Sequence, residues 1–166
     1  MKHSGDGGVG TCKKVMVFIP LTLALLLAGC SRNTEPAAYV ADVVVYGEGY
    51  QAFVCYFVLA DSLGRETATD GSVTLQVFQE QWSFDEGESS ELIYQTTLRA
   101  HQEDFQTATV GQGPFKRKRL IYYVGRILYS QFFEFPTSAV GTVKIDFRTN
   151  DGRHLLGKAT ILFDTD

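Results

Sequence analysis

The sequence predicts an all-β domain after residue 38, an antiparallel β-sandwich of about seven strands. Apolar residues recur at every second position in several short segments, which is the repeat of a strand with one buried face. Clusters of Gly, Asp and Asn separate these segments and favour turns. No stretch of this part keeps the 3.6-residue repeat of an amphipathic helix. A small β-barrel is the alternative architecture.

The first predicted strands are strongly apolar. Residues 40–46 are mostly branched and apolar, and the Gly-Glu-Gly sequence at 47–49 predicts a turn after them. Residues 50–60 are apolar at both alternating sets of positions, which is typical of a central strand with both faces buried. Val73, Leu75 and Val77 alternate with polar residues, so this segment is predicted to be a half-buried strand.

The turns ahead of that strand carry a family resemblance. Asp61 and Gly64, followed by Asp70-Gly71 and the alternating strand, resemble bacterial immunoglobulin-like or fibronectin-type-III-like modules. The resemblance covers residues 61–77 and implies two packed antiparallel sheets. The paired cysteines of true immunoglobulin domains are absent from the sequence, so the resemblance concerns architecture alone.

The middle of the domain mixes strand and loop signals. The polar, acidic residues 79–91 are predicted to form a loop. Alternation in residues 92–98 places Leu92 and Tyr94 on one face of a strand. Residues 119–124 form the next predicted strand, and Gly125 indicates a bulge in it.

The end of the chain predicts a β-hairpin. Val143, Ile145 and Phe147 alternate with charged residues. The Asn-Asp-Gly sequence at 150–152 favours a tight turn, and the alternation resumes over residues 158–163.

A separate signal lies at the start of the chain. Residues 15–28 form an uncharged apolar run after Lys13 and Lys14. The run is shorter than the roughly 20 residues of a spanning helix, and it is typical of a secretory signal helix. Its end, Leu27-Ala28-Gly29-Cys30, resembles the lipobox of bacterial lipoproteins. The resemblance implies that the signal peptide is removed and that Cys30 carries diacylglycerol and palmitate.

These signals divide the chain into a signal peptide at 1–29, a lipidated tether at 30–38 and a β-sandwich domain at 39–166. The resemblance implies an extracytoplasmic protein that is anchored by its lipid to a bacterial membrane. Ser31 stands where an Asp often marks retention in the inner membrane, so in an organism with two membranes we expect the outer one.

The composition narrows the classes of partner. The chain has 15 basic and 19 acidic residues and a net charge of −4, which disfavours nucleic acid as a partner. Cys55 is the one cysteine that follows Cys30, so the domain is predicted to fold without an internal disulfide. We expect Cys55 to act as a small buried apolar residue and the domain to be a monomer.

Motifs for catalysis or cofactor binding are absent from the sequence, including the P-loop, Gly-x-Ser-x-Gly and His-Glu-x-x-His. His101 and His154 fall in or beside polar turns, so we expect no catalytic residue and no cofactor. Asp85, Glu86 and Glu88 are weak candidates for calcium ligands. Their spacing is not that of an EF-hand, and a solvated hairpin tip without metal is the favoured interpretation.

A possible contact surface combines a basic run with the tyrosines that follow it. It consists of Lys116, Arg117, Lys118, Arg119, Tyr122, Tyr123 and Tyr129. Alternation predicts Arg117 and Arg119 on one face of a strand and the two lysines on the other. Such a surface suits anionic lipid headgroups or a polysaccharide. The alternative interpretation is a solvated edge strand whose charges prevent pairing with other chains.

The function that these expectations favour is that of a membrane-anchored lipoprotein, a non-catalytic binding or structural module of the cell envelope. Its partner would be an envelope protein or a glycan. Two alternatives stay open: an accessory or catalytic domain that acts on envelope carbohydrate, and a carrier of a small ligand.

Overall fold

The computed structural model describes residues 35–83, 87–111, 114 and 116–163. The predictions for the signal peptide, the lipobox and Cys30 lie outside these residues, as do Asp85 and Glu86. Within the described residues the chain forms two antiparallel sheets, which confirms the predicted all-β sandwich. No helix in the described part is long and apolar enough to cross a membrane.

Nine strands lie within the described residues, and three short 3-10 turns connect some of them. The strands are β1 Tyr39–Gly47, β2 Ala52–Ala60, β3 Glu66–Thr67, β4 Gly71–Ser83, β5 Gly87–Ala100, β6 Phe105–Val110, β7 Arg117–Leu128, β8 Val140–Thr149 and β9 His154–Leu162. Sheet A has the order β1-β2-β7-β6, with the short β3 also paired to β2. Sheet B has the order β5-β4-β8-β9.

Strand β2 is buried along its whole length, as the sequence predicts for a central strand. One set of its side chains, which includes Phe53 and Phe57, belongs to the core between the sheets. Tyr56 and Val58 of the other set form a second, smaller apolar cluster with Ile121 of β7. The outer face of sheet A therefore carries an apolar patch of its own.

Aromatic side chains fill the core between the sheets. The ring of Phe57 lies 5.2 Å from Tyr122 and 6.2 Å from Phe105 in sheet A, measured between centroids. It also lies 5.8 Å from Phe147 in sheet B. Burial raises the pKa of the Cys55 thiol to about 12, so this side chain stays protonated and acts as a small apolar residue.

The edges of the two sheets meet along one side of the sandwich. Gly157 of β9 lies under β1, where a Cβ atom would stand 2.6 Å from Cγ1 of Val40 and 2.7 Å from Cγ2 of Val43. Only glycine allows the strands to approach so closely. The contact protects both edge strands from pairing with other chains.

The predicted loop at residues 79–91 is wrong, because these residues continue a hairpin. The pairing of β4 with β5 extends to Ser83 opposite Gly87, whereas β8 accompanies β4 only as far as Gln79 opposite Gly141. Residues 80–83 and 87–90 therefore form a two-stranded ribbon beyond the sheet, here called the arm. The side chains that are described in the arm are exposed, so its sequence shows no apolar alternation.

Bulges change which residues face the core in β5 and β7, and β1 has a further register shift between Val40 and Asp42. In β5 the register shifts between Leu92 and Tyr94, and this leaves Ile93 fully buried and Leu92 36% exposed. The predicted common face of Leu92 and Tyr94 is therefore wrong, because an inserted residue reverses the alternation. In β7 the register shifts next to Gly125, which has a φ of 141°, and the predicted bulge is confirmed.

Candidate functional site

The basic run lies at the start of β7. Lys116 precedes β7, and the other three residues of the run open that strand, which sits between β2 and β6 in sheet A. The pairing with β2 begins only at Tyr122, so Arg117, Lys118 and Arg119 pair with β6 alone, and the interpretation as a charged edge stays a prediction for this part of β7. The sequence alone hides this, because strand order depends on partners that are distant along the chain.

The register of β6 and β7 gives the direction of each side chain. Arg117 lies opposite Val110 and Arg119 opposite Ala108, on the outer face of sheet A. Lys118 points to the other face, as alternation predicts. Lys116 departs from the prediction, because it precedes the strand and lines the same groove as Arg117 and Arg119.

Arg119 holds three strands together. Its side chain is only 11% exposed and forms ion pairs with Asp42 of β1, at 3.3 Å, and with Glu66 of β3. Glu66 also accepts a hydrogen bond of 2.6 Å from the backbone N–H of Leu120. Because two carboxylates surround it, Arg119 stabilises the sheet and adds little free positive charge to the surface.

A groove of about 610 Å³ opens on this outer face beside the basic run. Its floor is apolar and its rim is charged. The lining residues are Asp42, Val44, Tyr56, Val110, Gly111, Pro114, Lys116, Arg117 and Arg119. Lys116 and Arg117 are exposed, and no carboxylate among the described residues pairs with either of them. The groove therefore joins an apolar floor to two free positive charges, a combination that suits an anionic ligand with an apolar part.

Tyr56 forms part of the groove floor. Desolvation raises the pKa of its phenol, with smaller contributions from Tyr46 and Asp42, although Arg119 acts in the opposite direction. The Tyr46 ring stands edge-on to it at 6.4 Å between centroids. The phenol therefore stays neutral at physiological pH and keeps its hydroxyl proton as a hydrogen-bond donor.

The three tyrosines of the predicted contact surface do not act together. Tyr122 and Tyr129 are 6% and 4% exposed and belong to the core between the sheets, which removes them from the surface. Tyr123 is 52% exposed and lies opposite Tyr56 on the outer face, next to the groove. Tyr122 and Tyr123 differ because neighbouring strand residues point to opposite faces, and the bulge at Gly125 reverses the alternation of β7 only after them.

The surface also includes residues that the sequence did not indicate. Asp42 and Glu66 are 77 and 53 residues from Arg119 along the chain. Val44 and Tyr56 lie in segments that the sequence showed to be apolar, but the sequence did not show that these two residues line a groove. Pairing across such distances leaves no local signal, so a single sequence does not reveal the groove.

Other reactive side chains are dispersed in the described residues. Among them, no group of three or more His, Cys, Asp or Glu side chains is close enough together to hold a metal ion. His101 is exposed in a turn, and Nδ1 of His154 lies 3.0 Å from the carboxylate of Asp146 on the outer face of sheet B. Cys55 is buried.

The chain enters the domain at one end of the sandwich, here called the entry end. The N–H of Ala38 donates a 2.7 Å hydrogen bond to the carbonyl of Ala60, and Ala37 is fully buried. The carbonyl of Glu35 accepts a bond of 3.1 Å from the hydroxyl of Thr67. Arg153 donates to the carbonyl of Ala37 at 2.9 Å. Residues 35–38 are thus fixed to both sheets.

The turn that follows β2 at the entry end is built on Asp61. Desolvation raises the pKa of its carboxyl, but hydrogen bonds from the backbone and side chain of Arg65 and from the N–H of Leu63 outweigh this and lower it. The folded protein therefore favours the charged carboxylate. The Asp61 carboxylate therefore contributes fully to the free energy of unfolding above pH 3.8, the ordinary pKa of the group. This contribution is lost as the pH falls through the lowered pKa that the carboxyl has in the folded protein.

We expect Asp61→Asn to weaken the dependence of stability on acid pH. Denaturant unfolding of the wild type and the variant should diverge at neutral pH and converge as the pH falls below 3.8. The variant retains an acid dependence from Asp151, whose pKa is lowered first by a hydrogen bond from the hydroxyl of Thr149. A constant difference between the two proteins at every pH would contradict this role of Asp61.

Comparison with known proteins finds no protein-family model that matches the chain and no curated protein with significant similarity.

Proposed function

We propose that the mature protein is a lipoprotein of the bacterial cell envelope, in which acyl chains on Cys30 hold a non-catalytic binding module at the membrane. The lipobox-like sequence at residues 27–30 carries this proposal, since its position, its residue types and the preceding Lys13 and Lys14 agree. In an organism with two membranes, Ser31 favours the outer one.

The chemistry of the domain supports binding rather than catalysis. Its half-buried charged groups take part in contacts that join strands, such as Arg119 with Asp42 and Glu66. The nearly buried Asp61 is engaged in its own turn. By contrast, the groove on sheet A offers free cations and apolar area at the surface, which are the features of a contact site.

The lipid anchor is tested with Cys30→Ser in the full-length chain. We expect the variant to remain an unprocessed precursor without labelled palmitate, because the thiol that receives the lipid is absent. The wild type should incorporate the label and lose residues 1–29. Cys12→Ser is the matched control and should be processed like the wild type. Normal palmitate labelling of the Cys30→Ser protein would refute the proposed anchor.

A further inference from the structure

The groove and the point where the chain enters lie at the same end of the domain. At the entry end, the hydroxyl of Thr67 binds the carbonyl of Glu35. The residue before Thr67, Glu66, pairs with Arg119 of β7. A short series of direct contacts therefore connects the incoming chain to the basic run.

The length of the tether limits how far this end can be from the lipid. Cys30 and Glu35 are five residues apart, so a fully extended chain between them spans at most about 18 Å. If acyl chains sit in the bilayer, the entry end must stay within this distance of it. Electrostatic attraction acts over about 8–10 Å at physiological salt, and a tether of this length allows the basic run to approach the headgroups within that range.

We infer that Lys116 and Arg117, together with the groove beside them, bind the anionic headgroups of the membrane in which the acyl chains are embedded. This inference rests on the proposed lipid anchor. An acyl chain combined with a basic patch is a two-signal attachment that holds and also orients a domain. Lys118 is exposed beside them and adds a third positive charge on the opposite face of β7.

Charge and shape both favour this partner. Lys116 and Arg117 have no carboxylate partner among the described residues, whereas Arg119 is shared between the carboxylates of Asp42 and Glu66. The apolar floor of Val44, Tyr56 and Val110 suits the glycerol region below a phosphate. Glu103 and Asp104 are exposed in the turn between β5 and β6, where an anionic surface would repel them, so the attraction has to come from Lys116 and Arg117.

The docked orientation determines what faces the solvent. Strand β4 pairs with β8 from Gly71 opposite Thr149 to Gln79 opposite Gly141. The first of these pairs is at the entry end, because Arg153 in the following turn contacts Ala37. The arm continues beyond the second pair, at the far end. Docking of the basic run therefore points the arm away from the membrane, where it can meet other molecules.

The test measures the depth of a nitroxide label on the acylated protein in vesicles. Thr109→Cys places the label beside the basic run and Ser89→Cys places it on the arm, and both positions are exposed. Cys55 is buried and should not react. The vesicles contain phosphatidylcholine alone or an equal mixture with phosphatidylglycerol. The probe is a water-soluble paramagnetic nickel complex, whose collisions with the label report its exposure to water.

We expect the accessibility of the Thr109 label to fall by more than half in the mixed vesicles and to recover at high salt, because salt screens the attraction. The Ser89 label should stay accessible in both. Reversal of charge in Lys116→Glu/Arg117→Glu should abolish the fall. Arg148→Glu/Lys158→Glu is the matched control, because it changes the net charge by the same amount on the outer face of sheet B. In this control the accessibility of the Thr109 label should still fall.

Several outcomes overturn the inference. Equal accessibility of the Thr109 label in both vesicles, with Cys30 acylated by mass spectrometry, refutes docking and leaves the anchor standing. Missing acylation refutes the proposed function and the docking with it. Equal loss in both charge-reversed proteins indicates a general charge effect. If soluble heparin protects the label in neutral vesicles more than phosphatidylglycerol does, the groove is a polysaccharide site instead.

Discussion

Replacing Phe57 with alanine is expected to lower the free energy of unfolding by about 3–5 kcal/mol. Phe57 is fully buried in the middle of β2. Its ring contacts Phe105 and Tyr122 within sheet A and Phe147 across the interior in sheet B. Truncation removes the ring that connects the two sheets and leaves a cavity that these neighbours cannot fill without moving backbone.

Denaturant unfolding monitored by tyrosine fluorescence measures this loss. Phe133→Ala is the matched control, since it removes the same atoms from a side chain that is 65% exposed. We expect the control to change the free energy of unfolding by about 0.5 kcal/mol or less. Similar losses in the two variants would show that Phe57 does not connect the sheets as described.

The central position of Phe57 could be predicted from the sequence. Residues 50–60 are apolar at both alternating sets of positions, so both faces of this strand must be covered by other parts of the protein. The alternation of Val143, Ile145 and Phe147 likewise predicts the final hairpin, and the structure confirms it. In both segments the prediction uses local information, because the alternation within one strand shows which of its residues are buried.

The arm and the bulge in β5 could not be predicted in this way. The described side chains of the arm are exposed, so its polar sequence resembles that of a loop although its backbone is paired. At Leu92 and Ile93 one inserted residue exchanges the buried and exposed positions, and alternation read across it gives the wrong face.

The candidate site shows the same division between local and distant information. The basic run was visible in the sequence, and so was the common face of Arg117 and Arg119. The ion pairs of Arg119 were not visible, because Asp42 and Glu66 belong to strands far along the chain. Arg119 therefore stabilises the sheet, and the free charge of the site comes from Lys116 and Arg117.

Replacing Gln79 with methionine is expected to cost about 2 kcal/mol of stability, close to the value of a hydrogen bond to a charged group. Gln79 is 1% exposed at the base of the arm. Its amide N–H₂ donates to the carboxylate of Glu91 at 2.7 Å. Its carbonyl accepts bonds of 2.9 Å and 3.1 Å from the N–H and the hydroxyl of Thr137. Methionine has nearly the same size but makes none of these bonds.

Gln81→Met separates this role from a general effect of removing a glutamine next to Glu91. Gln81 is exposed and reaches the same carboxylate at 3.3 Å, so its loss should stay within about 0.5 kcal/mol. Gln79 joins the arm to the segment that leads from β7 to β8, and hydrogen exchange should therefore accelerate around both Glu91 and Thr137 in the Gln79→Met protein alone. Equal stability losses in the two variants, or faster exchange on only one side of the amide, would contradict this link between the arm and the far end of the sandwich.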